Sequence, residues 1–446
     1  MKKMNEVKHA TKTDTLINAL RKHVGIKSPE WVLTTLYDLV VRLSHNEINM
    51  WLHLEDKAAR LKFLTKAYVY SGINTKELAK QKALRITNID ISIVRNLMQV
   101  IAIEPLPSME IATELIELWQ SRAKGNSMLT MEMADLSYKI ISNDERVTEI
   151  FCKGDLSADV FALRAGQFCR VYYENRVQED SQIRQIVNIA GVDVRFPDTE
   201  EGHVVKKRKM YQGGFLAGPW NSKALPTESW LGNQFLGAAL GVHLLPHMIT
   251  QVDGRLVCVV TSGWLSRTAA SDGKFKKHLI ETQLLEAVIQ LPSKILRLTS
   301  ITPALLVINT RMRSKDIQFI DASGDDFTKG QPKVSYRHLA GIEKIMSLLQ
   351  DRAETEISVL KPAGDVFEMK CNLDVKRYVQ SAKSKKIDVA LSKFEKVCKL
   401  HEIVEIIGCQ SIEAGIDNFS NLFSVTEEVH EISAANINQY GMLDES

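Results

Sequence analysis

Along the first 125 residues apolar positions recur at three- and four-residue intervals, the period of helices that bury one face. The clearest run is "SPEWVLTTLYDLVVRLS", where Ser28 and Pro29 stand at the places of an N-cap and a first helical turn. The pattern predicts an all-α N-terminal domain over residues 1–125. "EPLPS" at Glu104 to Ser108 interrupts it, and "AKGNS" at Ala123 to Ser127 closes it. From about Met128 the rhythm changes to short β-rich runs alternating with helix-length segments, as parallel strands with crossover helices require. The predicted strands are "RVTEIFC", "CRVYYE", "VDVRF", "GGFLAG", "RLVCVVTS", "LLEAVIQL", "ALLVIN" and "IQFIDAS". Helices are expected over "QEDSQIRQIVNIAG" and "YRHLAGIEKIMSLLQDR". The fold class read from this pattern is α/β, with a Rossmann-like sheet domain over residues 126–380. A helical linker and the start of a further domain are expected over residues 381–446.

Composition narrows the class of protein without naming a chemistry. The chain has 446 residues, enough for two or three domains, with 45% hydrophobic and 25% charged residues, which excludes wholesale disorder and a membrane-embedded architecture. The first residues, "MKKMNEVKHATKT", are polar where a signal peptide needs an apolar stretch, and the longest apolar runs, such as "ALLVI", are too short to cross a bilayer. A cytoplasmic location is expected. Cys152, Cys169, Cys258, Cys371, Cys398 and Cys409 form no Cys-x-x-Cys pair and have no histidine at ligand spacing, so reduced thiols in packed positions are expected and no metal. A net charge of +3 does not by itself call for a polyanion. Two basic clusters stand out, "KKRK" at Lys206 to Lys209 and "KFKKH" at Lys274 to His278; each reads equally well as a solvated face or as a phosphate contact.

The stretch Asp253 to Ser323 carries the most information. "HLLPHMITQVDGRLVCVVTSGWL", "GKFKKHLIETQLLEAVIQLPSKI" and "SITPALLVINT" follow one another in near register with a known pattern of strand, loop, basic helix and strand. This region resembles the second half of the catalytic domain of N6-adenine DNA methyltransferases, specifically the modification subunits of type I restriction systems. "VFEMKCNLDVKRYV" is similar to the signature that closes that domain, and the tail after Cys398 resembles the opening of a target-recognition domain. The resemblance implies a methyltransferase sheet that uses S-adenosylmethionine, DNA as a partner, and other restriction-modification subunits as further partners. It places Lys274, Lys276 and Lys277 as candidates for phosphate contact, with Arg311 and Arg313 as weaker ones.

Two upstream sites depart from the family's pattern. Where the family has Asp-Pro-x-Cys-Gly-(Ser/Thr)-Gly around the cofactor, this chain has "EIFCKGD": Glu149 stands in for the Asp, Cys152 matches, and Gly154 follows. In this register Lys153 and Asp155 replace glycines of a turn that lets the cofactor approach bare backbone. Glu174, at the end of the second predicted strand, matches the acidic residue that holds the ribose hydroxyls, and Asp198 matches that of the next cofactor-side loop. The family's catalytic tetrapeptide, Asn/Asp-Pro-Pro-aromatic, is replaced by Ala217, Gly218, Pro219 and Trp220. The aromatic and one proline remain, but alanine has no side-chain acceptor for the amino hydrogens of a flipped adenine. Asn221 lies on the wrong side of the aromatic to serve.

Three readings follow from these departures. The first is a DNA-associated, methyltransferase-like subunit with impaired or absent catalysis, binding S-adenosylmethionine poorly or not at all. The second is an active adenine-N6 methyltransferase with divergent motifs, and the third is a protein-interaction scaffold that ignores DNA.

Overall fold

The computed structural model describes residues 12–22, 28–70, 76–103, 105–122, 129–143, 146–154, 156–175, 182–196, 210–218, 244–267, 270–296, 300–329 and 337–380, all within one compact unit, Met1–Lys383. Seven helices come first: α1 Lys12–Arg21, α2 Pro29–Arg42, α3 His45–His53, α4 Lys57–Tyr70, α5 Lys76–Thr87, α6 Ile91–Ile101 and α7 Met109–Arg122. Their starts follow local chemistry. Pro29 opens α2, and Ser44 and Glu47 form a reciprocal capping box at the start of α3. At α6 the Asp90 carboxylate accepts from the Ser92 amide. The helix α2 is buried over its first three turns and forms the hub of this region.

The sheet follows as β1 Glu149–Gly154, β2 Arg170–Asn175, β3 Val194–Arg195, β4 Tyr211–Ala217, β5 Val252–Thr261, β6 Leu285–Gln290, β7 Pro303–Asn309 and β8 Asp316–Asp321. The short strands β9 Thr328–Lys329 and β10 His338–Leu339 pair separately, and β11 Ser358–Pro362 joins the large sheet. Three further helices pack against the front half: α8 Met131–Ser142, α9 Leu156–Ala165 between β1 and β2, and α10 Gln182–Ala190 between β2 and β3. Among the described residues the sheet has nine strands, in the order β11-β8-β6-β7-β5-β4-β1-β2-β3. Neighbours are parallel except along β7 and β11, which run antiparallel to theirs.

Each of the eight predicted strands forms, and the helix expected to open at Gln178 is seen from Gln182. The alternation of side chains along each strand divides the core in two. Ile150, Cys152, Phe215, Val257 and Val259 face α8, α9 and α10 on one side. Phe151, Leu216, Leu256, Cys258 and Val260 face the helices Leu245–Ile249, Ser262–Ser266 and Ala270–Glu281 on the other. A sheet covered on both faces explains why its central strands read as unbroken apolar runs. The helical region docks through α10: Asn188 donates to Asp38 at 2.8 Å, and the Ser108 amide donates to the Ile189 carbonyl at 2.7 Å. No helix among the described residues is long and apolar enough to cross a membrane.

Candidate functional site

In an open sheet the ligand crevice lies beyond the carboxyl ends of the strands, where the strand order reverses. Here the chain leaves β1 toward β2 and β3 on one side and returns as β4 and β5 on the other, so the reversal falls between β1 and β4. The last residues of these strands are in register, Gly154 opposite Ala217 and Asn175, and Lys153 opposite Glu174 and Leu216. Gly154 and Ala217, far apart in the chain, thereby meet at one edge.

Gly154 is held by close approach. A Cβ at this position would lie 2.1 Å from the Ala217 carbonyl oxygen and 2.8 Å from the Ala158 side chain, so only glycine lets β4 and the start of α9 close around the end of β1. Ala217 is fully buried in the apolar cluster that holds Phe161 and Phe215, whose rings stack at 3.8 Å. Gly218 turns the chain out of β4 at φ 66°, a left-handed conformation. Pro219, Trp220 and Asn221, together with Asp155 and Asp198, lie outside the described residues.

Lys153 does not project into a turn, as its place in the sequence implies. It is a strand residue whose side chain is 9% exposed, and its Nζ donates to Glu174 Oε1 at 2.8 Å. Glu174, 40% exposed at the end of β2, thus has an internal cationic partner at the position expected to receive ribose hydroxyls. Cys152 points the other way, beneath α9, with its thiol near the Ala158 carbonyl; burial, reinforced by Asp159, pushes its pKa far up. It is a packed thiol. Glu149 opens β1, at the edge opposite the crevice and about 16 Å from Gly154 at 3.3 Å per residue. There it accepts from the Tyr172 hydroxyl at 3.0 Å and lies 3.8 Å from Arg170, which removes it from the cofactor edge.

The basic helix Ala270–Glu281 divides the three lysine candidates. Lys274 and Lys277 are exposed; Lys277 lies over the Phe367 ring and 3.6 Å from Glu281. Lys276 has no exposed surface, which corrects its expected role at DNA. Its Nζ donates to the carbonyls of Leu265 and Arg267, both at 2.7 Å, and sits 4.7 Å from the Trp264 ring centroid. Desolvation brings its pKa down to about 8, against a smaller upward pull from Asp272. Asp272 in turn accepts from the Trp264 indole at 2.9 Å. This knot, missed in the sequence, ties the segment after β5 to the basic helix. Its signal was the i, i+4 spacing of Asp272 and Lys276, which places both on one helix face. Arg311 and Arg313 follow β7, whose antiparallel course leaves them at the edge opposite the crevice. There Arg311 donates to the Asp253 carbonyl at 3.1 Å and Arg313 to the Thr282 carbonyl at 3.0 Å.

The strand order 3-2-1-4-5-7-6, with the seventh strand reversed and helices on both faces, defines a Rossmann-like methyltransferase-type fold preceded by a helical region. Residues 239–387 match the family model described as N-6 DNA Methylase, which bears out the resemblance carried by the stretch Asp253 to Ser323. The structure is similar to the type I restriction-modification system methyltransferase subunit from Streptococcus thermophilus: 18% identity, TM-score 0.60, covering 82% of this chain and 84% of that one. It is also similar to a modification subunit of a putative type I restriction enzyme from Vibrio vulnificus, at 11% identity and a TM-score of 0.56, covering 79% and 92%. A chain of a type I R-M system aligns over 92% of this chain and 97% of its own length, at 14% identity and a TM-score of 0.58. No curated protein sequence matches the chain.

Proposed function

We propose that the chain is an N6-adenine DNA methyltransferase-like subunit of a type I restriction-modification-type system, one that associates with DNA and has impaired or absent methyl transfer. The observation that carries this reading is the coincidence of the family match over residues 239–387 with the β5-to-β8 half of a methyltransferase-type sheet. Two of the neighbours named above are a methyltransferase subunit and a modification subunit of type I systems. The same role is proposed here, with sister restriction-modification subunits as protein partners and the cytoplasm as the place of action.

The crevice supports the impaired form of the reading. Ala217 offers no side-chain acceptor where the resemblance implies an amide, and losing one positioned polar group at a reacting centre costs about 100- to 1000-fold in rate. The described residues also do not fit S-adenosylmethionine: Cys152 is turned into the core, Glu149 lies at the far edge, and Glu174 is engaged by Lys153. Among the described residues, Gly154, which keeps bare backbone at the end of β1, favours the active alternative.

DNA association is tested by the salt dependence of binding to mixed-sequence duplex. Lys274 and Lys277 are the exposed cations of the basic helix, and each phosphate contact contributes about 0.9 to the slope of log affinity against log salt. Lys274→Ala with Lys277→Ala is expected to flatten the slope by roughly two. Salt-independent affinity, or none at low salt, would favour the scaffold reading.

A further inference from the structure

We propose that the Lys153 ammonium is an internal occupant of the ribose seat, so that the β1–β2 edge is completed by the chain itself and not by an adenosine-bearing ligand. The inference rests on the methyltransferase reading above and adds how the cofactor is excluded. A carboxylate at the end of the second strand of such a sheet serves a ribose because both of its oxygens accept from vicinal hydroxyls. At Glu174 one oxygen already accepts a charge-assisted hydrogen bond of 2.8 Å from Lys153.

The pair is not an ordinary surface ion pair, because its two members are buried unequally. Glu174 is partly open, but the Lys153 side chain is 9% exposed and stands in register between Glu174 on β2 and Leu216 on β4. A surface lysine could swing into water when a ligand claims its partner. Lys153 is confined between β2 and β4, so a ribose that drew Glu174 away would strand a cation in a largely desolvated place. Exclusion therefore comes from the unfavourable state left behind on ligand binding as much as from lost acceptor capacity. It acts from inside the sheet and needs no bulk in the turn that follows Gly154.

The test is calorimetric titration of S-adenosylhomocysteine into the full chain and into Lys153→Met, which keeps the length of the side chain and removes the charge. The unaltered chain is expected to give no binding below about 100 µM, and Lys153→Met to bind at least about tenfold tighter, the worth of one charge-assisted hydrogen bond. Lys153→Arg, which keeps a cation, is expected to stay without binding, and Glu174→Gln placed on Lys153→Met to remove the gain. Low-micromolar affinity in the unaltered chain, or a folded Lys153→Met that binds no better, overturns the proposal. Acetylation of Lys153 in the unaltered protein gives a second readout that needs no variant to fold. It is expected to be slow relative to exposed Lys274, and equal rates would also overturn the confinement. If Lys153→Met gains nothing while the unaltered chain binds DNA, this inference alone fails. If the unaltered chain also ignores DNA, the methyltransferase-like reading fails with it.

Discussion

Lys153 and Lys276 are both buried cations, satisfied in different ways, and the difference can be measured. Lys153 leans on a carboxylate that still meets water, so Lys153→Met leaves Glu174 hydrated and costs little stability, whereas Glu174→Ala strands the ammonium and costs on the order of 2 kcal/mol in chemical denaturation. Lys276 has two carbonyls and an indole face instead of a full counter-charge, and its pKa falls from an ordinary 10.5 to about 8. Between those values the unfolded chain holds a proton at this lysine that the folded chain has released, so stability rises as pH climbs from about 8 toward 10.5. Lys276→Met is expected to remove that part of the rise in denaturant midpoints measured across the window. An unchanged slope would show that Lys276 does not titrate there. Neither burial was legible in the sequence. A lysine reads as exposed until the register of its strand or the packed face of its helix is known. Ala217 was different, because the missing acceptor is a matter of residue identity and needs no coordinates.

Among the elements, β5, β6 and β7 are tied by a polar cluster inside an apolar sheet. Arg255 on β5 donates twice to Glu286 on β6, at 2.6 and 2.9 Å, and Asn309 on β7 donates to the same carboxylate at 3.1 Å. Both charged side chains are largely buried, so Glu286→Ala would leave the guanidinium without its counter-ion and is expected to cost about 3 kcal/mol in urea denaturation. A loss under about 0.5 kcal/mol would mean that water replaces the carboxylate freely. The eight strands from β1 to β8 were legible because runs such as "RLVCVVTS" and "ALLVIN" are too short for helices and too apolar for loops. β11 was not. "SVLKP" is five residues long, ends in proline, and among the described strands pairs with β8 alone, so its identity as a strand comes from β8. The insertion of β7 between β5 and β6 was equally silent, since pairing direction leaves no mark on a run buried on both faces. That reversal moved Arg311 and Arg313 to the far edge.

The whole molecule places two departures from the family's pattern at a single point. Gly154 and Ala217 pair across β1 and β4, with Lys153 and Glu174 one residue behind, so the described ends of the two expected motifs meet at one strand edge. Repair is correspondingly demanding. Ala217→Asn would set an amide in an apolar cluster, at about 1–3 kcal/mol, and Gly218→Pro would impose a φ near −65° where the chain turns at +66°. The double substitution is therefore expected to lower the melting temperature and to restore no transfer while Lys153 holds Glu174. The sequence carried the kinship of this edge through motifs that survive in the second half of the domain, but not its chemistry, which depends on how strand ends meet. The most direct test of the account is incubation of the unaltered full chain with methyl-labelled S-adenosylmethionine and mixed-sequence duplex DNA, scored for label in N6-methyladenine. Incorporation no higher than the protein-free blank is predicted, and label in adenine that rises with protein concentration would contradict it.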